Sequence, residues 1–194
     1  MTPVSYAQPR AGLGLLGLGA RPATVQAFAV LAGTILLTLS SYVAVPMYPV
    51  PVTMQTLAVT MVGALYGWRL GALTVLAWLG EAALGLPVLT NGQGGLAYMA
   101  GPTAGYLVAF PFAAALVGWL TERGFTGARP VLAFSSMLLG NALCLAFGAL
   151  WLSTLLGFEK ALMVGVVPFI IGGVLKSALG ASLLMAFGRL RRQG

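Results

Sequence analysis

Charged side chains divide this sequence into long apolar runs. Between Arg21 and Arg69 lie 47 residues without a charge, more than twice the roughly 20 that cross a bilayer as one helix. Pro46, Pro49 and Pro51 interrupt this run near its middle. Proline lacks a backbone donor and restricts the residue before it, so VPMYPVPVT cannot continue a helix, whereas Pro51 suits the first position of a new one. The pattern predicts spans over 23–44 and 51–68. A third, over 70–86, contains one acid, Glu81, and ends at Pro87 before the Gly-rich stretch Asn91–Gly95. A fourth runs over 105–120 with Pro111 inside it, a fifth opens at Pro130 and reaches about residue 152, and a sixth covers 164–187 before the basic tail Arg189, Arg191 and Arg192.

Six spans place both termini on one side of the membrane. With the termini in the cytoplasm, Arg10, Arg21, Arg69, Arg123, Arg129, Arg189, Arg191 and Arg192 all fall inside, and the outer connections hold only Lys160 among the basic residues. That asymmetry fits the excess of basic residues in cytoplasmic loops, and the reverse orientation would invert it. The expected architecture is an all-α integral membrane protein: a cytoplasmic tail over 1–21, then one six-transmembrane-helix bundle over 22–194 with Val45–Thr53 and Pro87–Thr103 external. The Gly-rich run Ala11–Ala20 is too short to span and reads as a loosely ordered tail rather than a signal peptide.

Composition narrows the chemistry. Of 194 residues, 59% are hydrophobic and 7% charged, which excludes a soluble globular domain. The acids are Glu81, Glu122 and Glu159; there is no Asp and no His, so catalysis by paired carboxylates or a His base lacks its raw material. The net charge of +7 comes from scattered residues at the ends of apolar runs, a topology signal that does not call for a nucleic-acid partner. Cys144 sits within an apolar run and reads as a small buried hydrophobe. Neither lysine follows a Gly-rich phosphate loop, and no length remains for a nucleotide-binding domain, so energised transport needs a partner.

Lys176, near the middle of the sixth span, is the principal candidate. A cation at that depth costs several kcal/mol on insertion scales and normally faces a cavity or a partner. Gly172, Gly173, Ser177 and Gly180 leave room beside it for a ligand or a close helix; a structural pair with Glu81 is the alternative. Glu81 could equally snorkel, pair with Lys176 or approach a ligand. The outer connections carry neutral hydrogen-bonding and stacking groups, Tyr48 leading to Gln55 in one and Thr90, Asn91, Gln93 and Tyr98 in the other, suited to a small polar ligand. Small residues recur at four-residue spacing in the first span (Ala23 and Ala27, then Ala29 and Gly33) and the fifth (Gly140, Cys144, Gly148), as internal packing or as a docking face for another membrane subunit. Asn141, beside the second stripe, could bond across helices.

Three segments carry a family resemblance: VPMYPVPVTMQTLAV (Val45–Val59), GLPVLTNGQGGLAYMAGPTAGYLVAF (Gly85–Phe110) and PFIIGGVLKSALGA (Pro168–Ala181). They closely resemble the BioY family, the biotin-binding substrate-capture (S) components of energy-coupling factor (ECF) transporters, and the similarity runs over nearly all the chain after the tail. The resemblance implies a six-helix subunit of the bacterial cytoplasmic membrane with an outward-facing biotin site, working with a transmembrane coupling subunit and ATPase subunits. ATP would be used only by those partners; this chain would need no cofactor, with membrane lipid as its surroundings. It also implies that Lys176 matches the lysine of a Gly-Asp-x-x-Lys pattern, whose acidic position is Gly173 here, and that Asn91, with Gln93 as fallback, and Tyr106 of GPTAGYL belong to the substrate site. With biotin as ligand, Lys176 is the expected partner of its carboxylate. The alternatives are the same fold serving another vitamin and a small membrane enzyme, the latter disfavoured by the missing catalytic groups.

Overall fold

A computed structural model describes residues 14–193; Arg10 and the start of the expected tail lie outside the described residues. The helices are α1 (Ala23–Tyr42), α2 (Gln55–Tyr66), α3 (Trp68–Ala83), the short α4 (Leu96–Met99), α5 (Ala104–Glu122), α6 (Pro130–Leu156), α7 (Phe158–Gly165) and α8 (Val167–Gln193). Between α1 and α2 two short strands, β1 (Ala44–Val45) and β2 (Val52–Thr53), form an antiparallel hairpin with Ala44 opposite Thr53 and Val45 opposite Val52. Among the described residues, four helices, α1, α5, α6 and α8, are long and apolar enough to cross a membrane.

The remaining two expected spans are shorter than the sequence pattern suggests. Helix α2 has 12 residues, about 18 Å at 1.5 Å per residue, because the chain stays non-helical through Pro51 and turns helical only at Gln55. Helix α3 has 16 residues and stops at Ala83. The expected outer connection before the sixth span is largely helix α7, with Glu159 and Lys160 exposed on it. Pro130 opens α6 as expected, and Pro111 is accommodated inside α5.

Helix α5 is the hub: 67% of its most apolar window is buried, against 17% for α1 at the periphery. It packs against α2, α3 and α6, and small residues let the backbones meet. A Cβ on Gly63 would strike the Ala114 carbonyl, and one on Gly118 would lie 2.5 Å from the Trp68 nitrogen. The stripe on α6 serves the same purpose, with Gly140 against Val117 and Thr60 and Gly148 against the Tyr106 ring. The α1 residues do not form one face: Gly33 is buried against Thr74 and Tyr66, Ala29 is half-buried, and Ala23 and Ala27 are exposed.

The end of the bundle that carries the arginines is closed by a corner at Gly67. Its φ of 85° and ψ of 171° fall in a region open essentially to glycine alone. The last carbonyls of a helix have no partner within it; here Ala64 O and Leu65 O accept from the backbone N–H groups of Leu15 and Leu16 at 3.3 and 3.0 Å. The first turn of α3 is served from α5, where Glu122 Oε1 accepts from Trp68 N–H at 3.2 Å, a carboxylate placed at the positive end of a helix dipole. Residues 14–16 are therefore pinned to the bundle, in contrast to the loose tail expected there. Arg69 and Arg123 lie over the rings of Trp68 and Trp119 at this same end, the amphipathic composition of a membrane interface.

A Cβ on Gly67 would meet Glu122 Oε1 at 2.6 Å and Gly14 N at 2.8 Å. Gly67→Ala is expected to destabilise the protein by about 1–3 kcal/mol, read as a lower unfolding midpoint in detergent. An unchanged midpoint would show that the corner is not constrained as described.

Candidate functional site

At the opposite end the irregular segments converge on a cavity. The three prolines keep the chain out of helix across 46–51, with a cis bond between Tyr48 and Pro49, and the hairpin turns Val50, Pro51 and Thr53 inward. The segment after α3 returns over the bundle, bonded to α1 through Ser41 Oγ to Val88 O (2.8 Å) and Tyr42 OH to Pro87 O (2.6 Å), which seats Leu89 and Thr90 in the wall. Tyr98 and Thr103 continue the wall. Helix α5 adds Tyr106, Leu107 and Phe110, α6 adds Asn141, Cys144 and Leu145, and α8 adds Phe169, Gly173 and Lys176. The space these residues line, with the open solvent at its mouth counted in, is about 620 Å³. Non-helical backbone at membrane depth is tolerated where it lines such a cavity.

The polar groups sit among apolar walls. Lys176 Nζ donates to Thr53 O at 2.9 Å; its ammonium thus meets a carbonyl dipole, not a carboxylate. The Thr53 hydroxyl accepts from Gln55 N–H at 3.3 Å and donates to Gln55 Oε1 at 3.0 Å. Gln55 Nε2 and Thr56 Oγ1 are buried without a hydrogen-bond partner, and an unsatisfied buried donor is costly unless a ligand meets it. Asn141 Nδ2 donates to Met137 O at 3.0 Å and across the helix interface to Ser177 Oγ at 3.1 Å. Tyr106 lends its ring, since its hydroxyl donates to Gly165 O at 2.6 Å and the ring lies 6.1 Å from that of Phe169.

Of the residues singled out in the sequence, Lys176, Gln55, Thr90, Tyr98 and Tyr106 come together here. Tyr48 is 94% exposed at the hairpin tip and outside the wall. Asn91 and Gln93 are exposed in the turn after Leu89, where Asn91 adopts a left-handed conformation (φ 58°) that Asn tolerates well; their inward neighbours are Leu89 and Thr90. Glu81 is half-buried on α3 and lines no part of the cavity, and Lys176 is engaged elsewhere. The sequence reading missed the inward roles of Thr53, Thr56 and Asn141. For Asn141 there was a signal, an amide in the middle of an apolar span; for the threonines there was none, because which face of a Pro-rich segment turns inward is decided by its pairing.

Comparisons with known proteins agree with this geometry. The sequence profile of the BioY family matches residues 15–193. A biotin transporter BioY of Rhizobium etli is 45% identical over 143 residues, covering 70% of this chain and 76% of that protein, and a probable biotin transporter BioY of Pyrococcus horikoshii is 34% identical, covering 74% and 83%. Among solved structures, the S-component for biotin from an ECF-type ABC transporter superposes with a TM-score of 0.72 at 28% identity, covering 90% of this chain and 96% of that one. The Pro-rich hairpin, the cavity behind it and the lysine of α8 all lie within the span the profile matches, and the chain belongs to the BioY family.

Proposed function

We propose that this protein captures biotin at the outer face of the bacterial cytoplasmic membrane and delivers it as the substrate-binding subunit of an ECF transporter. The observation that carries this reading is an ammonium in an apolar-walled cavity whose partner among the described residues is a backbone carbonyl, beside the unsatisfied donor of Gln55. Biotin supplies what that arrangement lacks: a carboxylate for Lys176, a ureido carbonyl for a neutral donor, and an apolar ring and chain for Leu107, Phe110, Leu145 and Phe169. The chain needs no cofactor and performs no chemistry on its ligand; ATP is consumed by the ATPase subunits, with a transmembrane coupling subunit between. The exposed Ala23 and Ala27 of α1 are the face on which we dock that subunit. Helices α2 and α3, short but continued by the hairpin and by the segment after Ala83, complete six spans with both termini cytoplasmic, supported by the gathering of arginines at the Gly67 end.

The isolated subunit should bind labelled biotin at equilibrium, and absence of binding would refute the reading. Loss of a charge-assisted bond is expected to weaken biotin about 10- to 100-fold in Lys176→Met and a neutral biotin amide much less; equal losses would remove the carboxylate from Lys176. For orientation, in a Cys144→Ala background, single cysteines at Tyr48 or Asn91 should react with an impermeant thiol reagent from outside and one at Ala128 should not. Ala128 is exposed, whereas its neighbour Gly127 is packed on the Leu184 backbone. Bulky residues at Ala23 and Ala27 should impair energised uptake and leave binding by the isolated subunit intact, and a parallel loss of both would make this face part of the fold instead.

A further inference from the structure

Two carboxamides reach the cavity, and the bonds around Asn141 fix which of its ends is free. Asn141 is 4% exposed. Its Nδ2 lies 3.0 Å from Met137 O, an atom that can only accept, so the NH2 group must occupy that side. Its second bond, to Ser177 Oγ, has a fixed direction as well: the Ser177 hydroxyl donates its one proton to Gly173 O at 2.7 Å and can only accept from Asn141. Both donors of Asn141 are thereby consumed, and Oδ1 is left as an acceptor. Gln55 shows the opposite polarity: its Oε1 accepts from the Thr53 hydroxyl, and Nε2 is left as a donor.

Space has been left beside the Asn141 acceptor. Gly173 lines the cavity, and the nearest atom to a Cβ built there is Asn141 Cβ at 3.9 Å. The absence of a side chain at 173 leaves the flank of Asn141 uncovered toward the cavity. A lysine, a glutamine donor and a threonine hydroxyl can satisfy a carboxylate or a carbonyl, but a ligand N–H needs an acceptor, and an amide oxygen held by two spent donors supplies one without a net charge.

We propose that Asn141 Oδ1 accepts a hydrogen bond from an N–H of the bound ligand, with Ser177 as the positioning residue that locks its orientation. Given the reading of biotin as the ligand, on which this assignment rests, that N–H belongs to the ureido ring. Asn141 then distinguishes a cyclic urea from ring systems that present an acceptor at the same place, since two acceptors face to face leave both unpaired.

The test uses the full chain in detergent and two carbamate analogues of biotin, each with one ureido N–H replaced by a ring oxygen of similar size. For the wild type, one analogue is expected to bind on the order of 10- to 100-fold more weakly than biotin. Asn141→Ala should bind biotin more weakly and reduce that difference to within about 3-fold, since no oriented acceptor remains. Ser177→Ala keeps Asn141 but frees one of its N–H groups, so the amide can turn; it should narrow the difference while changing biotin affinity less, and it serves if Asn141→Ala does not fold. Retention of biotin with an unchanged analogue difference in either variant would overturn this assignment alone. Failure of the wild type to bind biotin at all would overturn both it and the functional reading.

Discussion

An ammonium held among apolar helices is the constraint around which this molecule is arranged. Lys176 lies too far along α8 to reach water at the arginine-bearing end, and an unpaired cation at such depth would cost several kcal/mol. Its partner is a main-chain carbonyl, Thr53 O, which carries a dipole but no charge. Such a pairing lowers the cost without neutralising the cation, leaving the site biased toward an anion. To bring that carbonyl to α8, the chain must stay non-helical through the middle of what would otherwise be one long apolar run. The prolines enforce this, and the shortness of α2 follows from it.

The remaining architecture supports the same end. Helix α5, ringed by α2, α3 and α6, contributes aromatic and aliphatic walls from one face while its glycine and alanine positions hold the backbones together. The far end of the bundle is capped by contacts that are distant in sequence, with Leu15 and Leu16 on the last carbonyls of α2 and Glu122 on the first turn of α3. A corner packed into the bundle must find such partners because backbone groups buried there are shielded from water. Among the described residues, the buried side-chain polar atoms without a hydrogen-bond partner are Gln55 Nε2 and Thr56 Oγ1, on residues that line the cavity, and Thr121 Oγ1.

How much of this could be read from the chain alone depends on how local each signal is. Proline and arginine act on their own backbone position or side of the membrane, so the segments flanking Pro46, Pro49 and Pro51, the opening of α6 at Pro130 and the common end shared by the arginines were all legible. Lys176 was legible because a lone cation in an apolar run has few explanations. Loop composition was a partial guide: Thr90 and Tyr98 of the second connection reach the wall, whereas Asn91 and Gln93, of equally suitable chemistry, stay exposed in the left-handed turn at Asn91. The cavity wall is assembled from α5, α6, α8 and the hairpin, and no spacing along the sequence records that meeting. Asn141 was visible as an amide in a span, yet its orientation depends on Ser177, 36 residues away.

Helix α1 is the least buried of the long helices, with most of its surface exposed, yet it is tethered at one end to the segment that forms the cavity wall. Ser41 and Tyr42 hold the carbonyls of Val88 and Pro87, directly before Leu89 and Thr90. Further along α1, Trp78 Nε1 donates to Thr38 Oγ1 and the Tyr66 hydroxyl to Ala29 O. The helix is therefore held along one side by α2 and α3 and at its tip by the segment that forms the cavity wall. It cannot slide or tilt relative to the bundle without either stretching the two bonds at its tip or carrying Leu89 and Thr90 along with it, and so force applied by a neighbour in the plane of the membrane would arrive at the rim of the cavity.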